Sequence, residues 1–150
     1  MANYDLTVNQ GAQPSEGGQR LIAFERIVKF ADQNVLATDT VDLIDVPGNI
    51  KIIAARANVI TAEGATLTFD VGIKAVAADT LIDGANGNTA DLEAQSGDGT
   101  NDNLLAADGY KVPAVGATVQ MLANNNAATA VIRIQVTALD MRNMTNDPAA

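Results

Sequence analysis

Residues Ala65 to Ile73 read ATLTFDVGI. Leu67, Phe69 and Val71 fall on one side of an extended chain, and Thr66, Thr68 and Asp70 fall on the other. That two-residue period is the mark of an antiparallel strand with one buried face. The same period returns near the other end in TAVIRIQVTALDM, Thr129 to Met141, where Ile132, Ile134, Val136 and Ala138 oppose Arg133, Gln135 and Thr137. Between and around these two runs the chain reads as further strands and turns.

Thr40 to Val46 is a short β segment stopped by PGN, with Pro47 presetting φ and Gly48 expected to supply the unusual backbone angle of a turn. Ile50 to Thr61 is long for one strand, and its apolar positions switch face around Ile52 and Ile53, which predicts a bulge or bend. AEGA, Ala62 to Ala65, reads as a tight hairpin turn. Ile73 to Ile82 continues the sheet less regularly, and YKVPAVGATVQML, Tyr110 to Leu122, supplies another strand. The triple Asn124, Asn125, Asn126 suits a turn, since Asn tolerates left-handed angles and caps its own backbone. Leu21 to Ala37 fits two periods: Leu21, Phe24, Ile27, Val28 and Ala31 make a helical stripe, while Phe24, Val28 and Phe30 share a strand face. Strand is the preferred reading, because a lone helix would need a sheet face left free for it. The sum is an all-β chain of seven or eight short strands, an antiparallel β-sandwich or jelly roll. It divides into an extended N-terminal arm over 1–20, a sandwich over 21–142 and a patternless tail over 143–150.

Composition narrows the chemistry. At 150 residues the chain can bury a full core without a covalent staple, and that core is aliphatic, with three Phe, two Tyr and no Trp. There is no Cys, which fits a reducing compartment, and no disulfide or thiolate chemistry follows. There is no His either, which removes the usual nucleophile pairs, the usual zinc ligands and the ordinary neutral-pH base. A net charge of -9, with nine basic residues scattered along the sequence, argues against a nucleic-acid partner. MANYDLTVNQGAQ lacks a basic segment followed by an apolar one, so no secretory signal is expected. Val112 to Ile132 is uncharged, but Pro113, Gly116, Gln120 and the three Asn make a membrane span too costly, and two strands with a turn fit instead.

Two segments attract functional readings. In the arm, Tyr4, Leu6 and Val8 alternate with Asp5, Thr7 and Asn9 ahead of the polar, Gly-rich NQGAQPSEGGQR. This is either a strand that adds to a neighbouring molecule or a first strand of the chain's own sheet. Tyr4, Leu6 and Val8 are the candidate protein-contact residues. The second segment, DGANGNTADLEAQSGDGTNDN from Asp83 to Asn103, holds five carboxylates and no base. Counting from Asp83 or from Asp98 fails the EF-hand spacing, with Asn88 or Asn103 where Gly is required. A looser calcium site from Asp98, Asp102 and backbone carbonyls remains an alternative to a solvated surface excursion used for contact. Ser15 and Ser96, the two serines, lie in Gly-rich polar surroundings without an elbow motif, so no catalytic, cofactor or metal residue is assigned and no enzyme is expected.

The order of segments also resembles a family. ERIVKFADQNVLATDTVDLIDVPGNIKIIAARANVITAEGATLTFDVGI, Glu25 to Ile73, then DGYKVPAVGATVQML and VIRIQVTALDM, look like the small structural proteins of tailed-bacteriophage heads over roughly residues 23 to 140. The resemblance implies a capsid decoration or cement protein, an all-β module on the outer face of the virion that bridges major capsid proteins. It implies manufacture in the host cytoplasm and a homo-oligomer, trimer favoured over dimer, with no cofactor, nucleic acid or membrane as partner. A tail- or fibre-associated module that binds a host surface through residues 83–103 is the alternative.

Overall fold

The computed structural model describes residues 20–32, 35–97, 104–106 and 108–142. Among the described residues nine strands follow one another: β1 Arg20–Lys29, β2 Thr40–Val46, β3 Ile50–Thr61, β4 Thr68–Ile73, β5 Ala77–Asn86, β6 Glu93–Gln95, β7 Tyr110–Lys111, β8 Ala117–Ala123 and β9 Val131–Asp140. A single 3-10 turn, Phe30–Asp32, ends β1 and buries Phe30. The ambiguous segment is thus strand over 20–29, as the alternation of Phe24 and Val28 favours, and of the helical stripe only Ala31 falls in the turn.

The strands form two sheets, in the orders β1-β9-β3-β6 and β2-β8-β4-β5, with β7 also paired to β3. Every pairing is antiparallel. With the two-residue β7 set aside, the first strand pairs with the last, the second with the last but one, the third with β6, and β4 with β5. That nested order, wrapped into two layers, is the jelly roll. The two layers bury the side chains that the alternation singled out: Leu67, Phe69 and Val71 from one sheet and Ile132, Ile134, Val136 and Ala138 from the other are all inaccessible to solvent. Burying a side chain of this size stabilises by about 2 kcal/mol.

The bulge expected near Ile53 is present, since the β3–β9 register shifts between Ile52 and Ala54. Ala62 to Ala65 is a turn but not a hairpin. It carries the chain from β3 in the first sheet to β4 in the second, and so does the Asn124–Asn126 segment in reverse, from β8 to β9. The Asn side chains bind other segments rather than their own: Asn124 Nδ2 donates to Asp70 Oδ2 at 3.0 Å, Thr68 N–H donates to Asn125 Oδ1 at 3.0 Å, and Ala37 N–H donates to Asn126 Oδ1 at 2.8 Å. In the PGN turn the left-handed residue is Asn49, at φ 60°, not Gly48. Gly48 is needed for a different reason, because a Cβ there would strike the backbone of Ala114.

The connections β1–β2, β3–β4, β5–β6 and β8–β9 meet at one end, tied by Ala127 N–H to Val35 O, Phe30 N–H to Ala130 O and Glu63 N–H to Gly87 O. At the other end lie the β2–β3 and β4–β5 turns and the run before β8. There β1 begins and β9 ends, with Arg20 opposite Asp140.

Candidate interaction surface

The buried ionisable groups come first, because a catalytic site would need them. Glu63 is the latch of the loop-rich end. Its carboxylate accepts from the N–H groups of Ala128, Thr129 and Ala130 at 3.1, 3.0 and 2.9 Å and from the Thr129 hydroxyl at 3.1 Å. Burial works to raise its pKa, yet these donors together outweigh burial and hold it below the usual carboxylate value. Asp70, on β4, accepts from Gly84 N–H at 2.6 Å and from Asn124 Nδ2. Asp140 sits between two guanidinium groups, Arg142 at 2.8 Å and Arg20 at 3.3 Å. The Arg142 hydrogen bonds, against the opposing effect of burial, bring Asp140 down to about 2. Each of these carboxylates accepts from two or more donors and fastens one segment to another. Among the described residues no three acidic side chains gather as metal ligands.

The candidate residues Tyr4, Leu6 and Val8 lie outside the described residues, as do Asp98 and Asp102. The rest of the acidic stretch is less of an excursion than its composition suggests. Asp83 to Asn86 finish β5, and Glu93–Gln95 form β6, which pairs with β3 across the other sheet. Polar composition hid both strands, because edge strands bury little and need few apolar side chains.

What the structure brings together is charge. The strands of the first sheet carry seven bases (Arg20, Arg26, Lys29, Lys51, Arg56, Lys111 and Arg133) against three acids. The strands of the second carry no base and five acids (Asp42, Asp45, Asp70, Asp79 and Asp83). Seven of the nine bases that look scattered in sequence thus lie on one sheet, while Lys74, in the turn after β4, pairs with Asp42 of the other at 2.6 Å. On the outer face of the first sheet, register sets Glu25, Gln135 and Arg56 in one row and Ile27, Arg133 and Asn58 in the next. Arg56 pairs with Glu93 at 3.1 Å and Arg133 with Glu25 at 3.5 Å. A shallow depression of about 230 Å³ lies between Arg56, Asn58, Glu93, Arg133 and Gln135. Such a face is flat, of mixed sign and rich in arginine, which suits contact with another protein better than enclosure of a small molecule.

Apolar side chains also reach solvent. Leu21 is 61% exposed and Ile27 42% on β1, and Val115 is 95% exposed at the end where β1 begins. Between the edge strands β1 and β2 runs an open seam of about 250 Å³, lined by Arg26, Ile27, Val28, Val41, Asp42 and Leu43. On the same two strands Ile22 and Phe24 of β1 and Val41 and Ile44 of β2 are only partly covered.

No family model and no curated protein matches the chain. Solved structures do. A chain of the cyanophage Pam1 capsid asymmetric unit aligns at TM-score 0.58 and 17% identity, covering 92% of this chain and 97% of that one. A chain of the capsid of Ralstonia phage GP4 aligns at TM-score 0.58 and 17% identity over 81% of this chain and 84% of that one. A chain of the acidic stable capsid of Helicobacter pylori bacteriophage KHP30 aligns at TM-score 0.54 and 12% identity over 81% and 93%. At these identities the likeness is one of fold: this jelly roll is similar, over 81 to 92% of its length, to chains found in the capsids of three bacteriophages.

Proposed function

We propose that this protein is a structural component of a phage virion, a decoration or cement protein that attaches to the outer surface of an assembled head and bridges its major capsid proteins. The observation that carries this reading is the match of the two-sheet fold, over 81 to 92% of this chain, to three capsid chains, in a molecule whose buried carboxylates among the described residues serve as internal fasteners. A cement protein strengthens a shell by multivalent attachment, in which several modest contacts joined in one oligomer act at high effective concentration. A rigid aliphatic sandwich suits that task, and a trimer is the favoured oligomer. Of its two outer faces, the arginine-rich face of the first sheet is the one turned toward the shell, where fixed guanidinium groups give orientation and an encounter rate that depends on salt. The arm over 1–20 adds a further contact through Tyr4, Leu6 and Val8.

The deciding experiment mixes purified protein with expanded heads of its own phage and takes electron-microscopy class averages. Added density at regular positions on the outer surface is expected, weakened when residues 2–19 are deleted. Heads that stay bare at saturating protein overturn the reading. Binding to host cells in the absence of phage particles would instead favour the host-surface alternative through residues 83–103.

A further inference from the structure

The free edge of β1 has the properties of a strand acceptor. All ten of its residues pair with β9 on one side, and among the described residues no strand pairs with the other. Of its core-facing positions, Arg26 and Val28 line the seam between the sheets, and Ile22 and Phe24, further along the strand, are only partly covered. An exposed edge of this length is normally blunted, and here the blunting device is charge. Arg20, Arg26 and Lys29 lie on β1 against one acid, Glu25, and Arg26 occupies a core-facing position opposite Ile134 yet remains exposed. That arrangement disfavours a generic apolar strand and admits an acidic one.

One segment of the chain has the matching character. Residues 1–19 contain Asp5 and Glu16 and no Lys or Arg, and Tyr4, Leu6 and Val8 recur at the spacing that sets side chains on one face of a strand. We infer that Tyr4 to Val8 of one copy adds as a strand to the β1 edge of a second copy, with Tyr4, Leu6 and Val8 on the core-facing side beside Ile22, Phe24 and Val41 and with Asp5 and Thr7 on the outer side, the acidic arm as a whole matching the basic edge. Main-chain hydrogen bonds supply affinity and the alternate side chains supply selection. The eleven residues Asn9 to Gln19 that separate the motif from β1 reach about 36 Å when extended, about the length of β1 itself. A fold-back hairpin uses a loop of about two to five residues, so a tether of this length is built to reach a neighbour. An arm donated and an edge accepted by each copy make a heterologous contact, the kind that closes into rings such as trimers. This inference concerns the isolated protein and does not rest on its attachment to a head.

The absence of cysteine makes the test clean. Thr7→Cys is placed in one preparation and Ala23→Cys, on the exposed outer side of β1, in another carrying a size tag. The two are mixed and treated with a short bis-maleimide. A cross-linked species of summed mass on a denaturing gel is expected, at least about tenfold above the yield when Asp79→Cys on the second sheet replaces Ala23→Cys, and Arg26→Glu should reduce it severalfold. Sedimentation of the chain lacking residues 2–19 should show the oligomer reduced to monomer. Equal yields from the two acceptor positions, or cross-linking confined to single chains in the double variant Thr7→Cys/Ala23→Cys, would overturn the proposal.

Discussion

The two sheets are built from the same interior stock and finished differently outside. Inward, both present closely packed Ile, Val, Leu and Phe, with Phe69 and Val71 on one side of the core and Ile134 and Val136 on the other, all without solvent contact. In charge they differ: among the described strand residues the first sheet carries seven bases and paired ions, while the second carries no base and five acids, of which Asp70 alone is buried. The interior is dictated by the need to close two apolar faces on each other, which any jelly roll must meet. The outer faces are free of that requirement, so a difference between them reports on what each meets outside the molecule.

The comparison can be broken most forcefully in the interior. Phe69→Ala in the second sheet and Ile134→Ala in the first should each lower the unfolding free energy by about 3 to 4 kcal/mol in urea titrations. A loss under about 1 kcal/mol on one side alone would mean that the sheets do not share one cooperative core. Next comes the latch between them. Glu63→Gln surrenders a charge-assisted acceptor for three backbone N–H groups and one hydroxyl, and should cost about 2 kcal/mol, read as a fall in Tm. Glu93→Gln, on the exposed face, should change stability by no more than about 0.5 kcal/mol, since surface ion pairs contribute little.

An effect smaller than that of the Glu63 latch separates the two sheets by pH. Asp140 at the end of β9 titrates near 2 in the fold against an ordinary value of 3.8. A depressed folded pKa gives stability that is fully present above about pH 4 and is lost as pH falls toward 2. With its arginine partners about half exposed, the loss should be about 1 kcal/mol, visible as a drop in Tm over that window that Asp140→Asn abolishes. The smallest effect on stability sharpens the outer-face comparison. Arg56→Glu with Arg133→Glu should leave Tm nearly unchanged but weaken attachment to heads by about tenfold or more, whereas Asp45→Asn with Asp79→Asn should alter attachment by no more than about twofold. Equal effects from the two faces would remove the claim that the first sheet faces the shell.

Much of the architecture was legible before any coordinates. Strand class, the limits of β2, the length of β3 and its bulge at Ile53, and the buried sets of β4 and β9 all follow from period-two alternation, which is local and is written in adjacent residues. The fasteners were not legible. Glu63 sits in an ordinary turn sequence, and only the arrival of Ala128 to Ala130 from the β8–β9 connection makes it an acceptor for three backbone donors. Asn124 to Asn126 read as a turn of their own and instead bind β4 and the β1–β2 connection, because the side chains found better partners across the end of the sandwich than along their own backbone.

The sequence by itself therefore determined the strand character of the segments with clear apolar alternation and which side of each is apolar, since both are settled within a few residues of chain, but not the polar edge strand β6 or the end of β5. Tertiary structure alone decided which sheet each strand joins, that the turns after β3 and β8 cross between layers, and that bases far apart in the chain share one surface. Those outcomes depend on pairing strands more than a hundred residues apart, as Arg20 with Asp140, and no local pattern encodes a partner at that distance.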